Sequence, residues 1–157
     1  MNRLLSLAGS FAVVAVAVLV ALMLSGPPAS AQIKEHKLAL QISDQDPQKM
    51  NTVLNVAANV SRLYAERGEE VKIRIVAFNA GLHMLREDTA PEDVKKRVQG
   101  FAKSMPNVGF DACQNTIDGM AKKEGKVPPL VANAEIVPAG VVTLIELDEA
   151  GWTIVRP

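Results

Sequence analysis

One cysteine in 157 residues excludes an intramolecular disulfide and any zinc site built on several cysteines. Aromatic residues make up only 4% of the chain, too few for a platform on which bases or sugars stack. Charge of one sign is also missing, with 17 Lys plus Arg against 17 Asp plus Glu. Nucleic-acid binders carry a basic excess or stripe, so no nucleic acid is expected as partner. The two histidines, His36 and His83, share no metal-type spacing with each other or with Cys113, and no metal is expected. Phosphate-loop, GxGxxG, GxSxG and CxxC motifs are all absent, and no cofactor is expected.

What is present begins with an apolar run. Arg3 supplies a positive charge, Phe11 to Leu24 follows, and Ser25-Gly26-Pro27-Pro28 breaks a helix. Ala29-Ser30-Ala31 fits the small-x-small pattern read by signal peptidase, which makes residues 1–31 a signal peptide and Gln32 the first mature residue. As a helix, Phe11 to Leu24 reaches about 21 Å, short of the roughly 30 Å of a bilayer core. Counted from Leu4 the run is longer, so an uncleaved inner-membrane anchor stays open as the alternative. Export to the periplasm is the expected localisation, with no other membrane partner. An exported chain with one unpaired cysteine is unusual, because oxidising compartments encourage pairing.

Residues 32–157 read as one α/β domain. His36 to Ser43 alternates Leu38, Leu40 and Ile42 with more polar neighbours, the pattern of a strand. Asp46 and Pro47 then start a helix, whose buried face is expected to be Met50, Val53, Leu54, Ala57, Val60, Leu63 and Tyr64, with Gly68 as its stop. Val71 to Phe78 is a β-branched second strand, followed by a turn at Asn79-Ala80-Gly81 and a short helical turn at Leu82 to Arg86. Thr89-Ala90-Pro91-Glu92 has capping-box spacing for a helix carrying Val94, Val98, Phe101 and Met105. Val108 to Ala112 is a third strand ending at Cys113, and a helix runs from Asn115 to about Lys123. Gly125 to Val137, with Pro128 and Pro129, reads as loop. Val141 to Leu147 fits either a hairpin with Trp152 to Arg156 or a helix followed by a strand. The alternating rhythm selects the helix. The expected fold is a mainly parallel sheet with helices on both faces, in βαβαβαβ-like order.

In such sheets ligands meet the protein outside the carboxyl ends of the strands. Three segments are expected there: Ser43-Asp44-Gln45, Asn79-Ala80-Gly81 and Cys113-Gln114-Asn115-Thr116. Cys113 stands between a strand end and a helix start, where N–H groups favour an anion, and the thiolate is the reactive form of cysteine. Asn115 or Thr116 would add a hydrogen bond, Asp111 would oppose ionisation, and His83 would serve as a proton shuttle. Asp44, Asn79 and Gly81 complete the candidate cleft. The competing reading makes Cys113 a small buried hydrophobe. The apolar stretch from Leu130 to Leu147 needs a cover, which points to a homo-oligomer.

Gly109 to Thr116 (G-F-D-A-C-Q-N-T), Val137 to Val142 (V-P-A-G-V-V) and the terminal G-W-T-I-V-R-P resemble exported members of the DsrE/DsrF-like family over most of the domain. The resemblance implies a small parallel α/β domain assembled into trimers or hexamers. It also implies a cysteine after the third strand that carries a persulfide in sulfur relay, which by position is Cys113. The stretch Asn115 to Met120 differs from the Ala-rich, Arg-Gly-containing segment of relay members. Three functions are expected as candidates: a persulfide carrier with unknown donor and acceptor, a non-catalytic module binding a small ligand or partner, and a thiol sensor.

Overall fold

The computed structural model describes residues 35–157. The expected signal segment, residues 1–31, lies outside the described residues. Five strands form one sheet: β1 (Glu35–Ile42), β2 (Glu70–Ala77), β3 (Val108–Cys113), β4 (Ala134–Val137) and β5 (Thr153–Val155). All pairings are parallel and the order across the sheet is β4-β3-β2-β1-β5. Four α-helices connect them: α1 (Pro47–Glu66), α2 (Glu92–Ser104), α3 (Gln114–Glu124) and α4 (Gly140–Glu149). A 3-10 helix, Asn79–Leu85, extends the expected short turn after β2.

Alternation along each strand divides the side chains between two layers. Leu40 and Ile42 of β1, Ile73, Ile75 and Ala77 of β2, and Val108, Phe110 and Ala112 of β3 face α1 and α2, packing with Met50, Val53, Leu54, Ala57, Val94, Val98 and Phe101. The opposite face carries Ala39, Val76, Phe78 and Cys113, covered by Leu144 of α4 with Leu147, Trp152 and Ile154 alongside. Both faces are covered, and the apolar positions of each strand are divided between the two layers.

Local signals explain most boundaries. Asp46 caps α1, its side chain accepting from the Gln48 N–H at 2.8 Å, and Pro47 opens the first turn. Gly68 takes a left-handed φ of 69° just past the helix. Leu63 departs from expectation and is 43% exposed. At 100° per residue it lies about 120° from Ala57 around the helix, off the buried stripe. Thr89 forms no capping box: Pro91 is the cap residue of α2 without a side-chain bond, and the Thr89 hydroxyl instead meets His83 Nδ1 at 2.7 Å. The stretch expected as loop contains β4, a four-residue edge strand paired with β3 from Phe110↔Ala134 to Cys113↔Val137. At the C-terminal end the helix α4 forms, and β5 pairs parallel with β1 instead of closing a hairpin.

Candidate functional site

The carboxyl ends of β2 and β3 and the first turns of α3 and α4 surround a pocket of about 630 Å³. Cys113 is at once the last residue of β3 and the cap residue of α3, with extended backbone (φ −69°, ψ 116°) and no linker between strand and helix. Its side chain belongs to the second face of the sheet, beside Phe78 and Leu144, and the residue is 5% exposed. Asn79, His83, Asn115 and Thr116 line the same pocket.

Two of these residues are tied together. Asn79 sits at a left-handed φ of 49°, a conformation asparagine tolerates, and this turns its N–H across to Thr116 Oγ at 2.9 Å. Having accepted that bond, the Thr116 hydroxyl has its own proton left to direct at the sulfur.

The Cys113 thiol is subject to opposing influences. Burial raises its pKa, but the Thr116 hydroxyl and the N–H groups of Gly140, Thr116 and Asn115 outweigh burial and bring it below the ordinary thiol value. Sγ makes no capping hydrogen bond of ordinary length to the first turn of α3. These groups therefore act as partial positive charges around the sulfur, favouring the anion. Asp111 does lie on the same face of β3, yet it is fully buried and its charge is met by Arg74, whose Nε donates to Oδ2 at 2.9 Å.

Gly140 was not among the residues expected from sequence reasoning. It is the first residue of α4, and an added Cβ would stand 2.9 Å from the Phe78 Cβ. Only without a side chain does the start of α4 approach β2 this closely. The run Val137 to Val142 held the signal, a glycine between Ala139 and Val141 at a helix start, but nothing in it says which strand end the glycine meets.

The remaining expected residues are placed otherwise. Gly81 does not line the pocket. It packs on the end of β1, where an added Cβ would lie 2.2 Å from the Ile42 carbonyl oxygen. Asp44 is also outside the pocket, with Lys49 Nζ at 3.1 Å and Arg156 Nη2 at 3.2 Å holding its pKa below the ordinary carboxylate value. Topology brings the loop after β1 to the correct end of the sheet, but these two cations turn Asp44 into a surface ion pair. His36 is at the amino end of β1, bonded to Glu69 at 2.5 Å and stacked on Tyr64 with ring centroids 4.1 Å apart. Among the described residues no three His, Cys, Asp or Glu side chains converge as metal ligands, and no helix is long and apolar enough to cross a membrane.

The chain is similar in structure to MTH1491, a protein of unknown function from Methanobacterium thermoautotrophicum, with 27% sequence identity and a TM-score of 0.57. The match covers 78% of this chain and 99% of that one. No protein-family model matches the sequence, and neither does a curated protein.

Proposed function

We propose that this domain is a DsrE/DsrF-like carrier of sulfane sulfur, exported to the periplasm, that holds its cargo as a persulfide on Cys113. The observation that carries this reading is the convergence of two helix amino termini, those of α3 and α4, on one sulfur atom. A thiolate attacks the outer sulfur of a donor persulfide R–S–SH, forming Cys113–S–SH and releasing R–S⁻. The product ionises to Cys113–S–S⁻, and the same N–H groups then stabilise that anion. His83, held through Nδ1 by Thr89 on the pocket wall, takes the proton released in that ionisation. A carrier of this kind needs no turnover of its own.

The test is the intact mass of the protein before and after a polysulfide donor, beside Cys113→Ser. A gain of one or more sulfur atoms, reversed by reduction and lost in the variant, is the expected result. Folded protein that gains none, with a thiol blind to alkylating reagents, sinks the carrier. A second reading, a module that binds a small ligand without using the thiol, draws support from the 5% exposure of Cys113 beside Phe78 and Leu144. It becomes the leading one in that case.

The carrier is proposed to work as a homo-oligomer, a trimer or hexamer. Val141, Val142 and Ile145 of α4 are 55%, 49% and 53% exposed, and Ile136 of β4 is 59% exposed. A second copy covering these side chains would remove their apolar surface from water. Light scattering at micromolar concentration is expected to give a multiple of the protomer mass, and a monomer counts against it.

A further inference from the structure

The pocket wall carries three charged or titratable side chains besides the thiol: His83, Lys123 and Glu124. Glu124 is not free to act on a ligand. Arg86 Nη1 and Nη2 donate to its two carboxylate oxygens at 2.6 and 2.8 Å. Arg86, only 2% exposed, also binds Asp88 through Nε and Nη2 at 2.9 Å each, and Lys126 Nζ stands 4.0 Å from Asp88. Arg86 and Lys126 against Asp88 and Glu124 leave that cluster neutral. Lys123 has no carboxylate within ion-pair distance among the described residues and remains the uncompensated full charge on the wall.

We infer that Lys123 selects an anionic sulfane-sulfur donor for Cys113. The inference rests on the carrier reading and names its substrate class: a small polysulfide anion, not a neutral organic one. Loading from tetrasulfide runs as Cys113–S⁻ plus S₄²⁻ giving Cys113–S–S⁻ plus S₃²⁻. One S–S bond of the donor breaks, one Sγ–S bond forms, and the trisulfide leaves with the electron pair, so charge and atoms balance without any oxidant. Two anions must meet in this step, and a cation at the pocket wall offsets their repulsion and raises the local donor concentration. The volume, about 630 Å³, admits a small donor of this kind.

Lys122 provides the control. It precedes Lys123 in the last turn of α3 and carries the same charge, but it does not line the pocket. Wild type, Lys123→Gln and Lys122→Gln are compared for the rate of tetrasulfide loading and for alkylation by iodoacetate and by neutral iodoacetamide. Lys123→Gln is expected to slow tetrasulfide and iodoacetate by about tenfold at low salt, with the difference shrinking at high salt. Iodoacetamide rates and the Lys122→Gln protein should match wild type. Equal effects of the two lysine variants, or an equal fall for iodoacetamide, overturn the inference. If wild type takes up no sulfur while its iodoacetate preference still depends on Lys123, the carrier reading fails and the anion preference stands. Loading that is unaffected by Lys123→Gln has the reverse meaning. A thiol that neither reagent reaches in folded protein overturns both.

Discussion

An Arg74→Met protein is expected to lose about 3–5 kcal/mol of unfolding free energy at pH 7, the cost of leaving a buried charge without its partner. Asp111 is fully buried between β2 and β4, on a register that sets it opposite Val76 and Glu135. Arg74 reaches it with Nε and Nη2, and Nη2 also meets the exposed Glu135 at 2.8 Å. Gly109 leaves the Arg74 side chain its room: an added Cβ there would stand 3.2 Å from the Arg74 Cδ, a tight contact. Burial pushes the Asp111 carboxyl above its ordinary value even with Arg74 pulling it down. Without Arg74 only the raising influences remain, burial and the Glu135 charge. A carboxyl whose pKa is raised on folding holds its proton more tightly in the folded state, so stability grows as pH falls through that folded value. The deficit of Arg74→Met should therefore be largest at neutral pH and shrink as the pH is lowered, as followed by urea unfolding. Adding Asp111→Leu should recover most of it, and a deficit independent of pH would contradict the assignment.

Thr116→Val is expected to lower the alkylation rate of Cys113 at pH 7 by about tenfold, with Thr116→Ser close to wild type. A hydrogen bond to a charged group is worth about 1.5–3 kcal/mol, and the smaller figure applies to a hydroxyl acting on sulfur at long range. Valine keeps the volume of threonine but offers neither an acceptor to the Asn79 N–H nor a proton to Sγ. In wild type the pH–rate profile should have its midpoint below that of a free thiol, because the thiolate is favoured by Thr116, Gly140 and Asn115. Removal of the hydroxyl moves that midpoint upward. A profile unchanged in Thr116→Val would mean that the N–H groups alone set the acidity of the thiol.

The strands of the core and the first three helices were legible from local signals, whereas α4 followed from the alternation of elements, since Val141 to Leu147 fits a strand as well. Asp46 caps, Pro47 opens, and Gly68 ends α1 in the left-handed region. Alternation in β1 to β3 marks the face toward α1 and α2. The strand β4 was not legible, since its Ala-Glu-Ile-Val has no fully buried position and its place is set by pairing with β3. Cys113, Asn79, Asn115, Thr116 and His83 were placed at the pocket by topology. Asp44 and Gly81 were placed at the same end of the sheet by the same reasoning and do other work, because ion pairing and close backbone approach are decided by neighbours distant in sequence. Arg74 and Arg86 carry no signal in the sequence for the same reason. Each is a lone charge until the register supplies Asp111, or until α3 brings Glu124 within reach.

The face of the sheet that carries Cys113 is covered by α4, with Trp152 and Ile154 alongside, all of them late in chain order. During synthesis from the amino terminus, β1 to α3 are available to assemble while that face is still bare. Joining β5 to β1 is the pairing of greatest sequence separation, and such closures are slow. Until α4 docks, Cys113 has only the Thr116 hydroxyl and the first N–H groups of α3 beside it, and the Gly140 N–H reaches it last. Full acidity of the sulfur is therefore reached only when the carboxyl-terminal elements are in place.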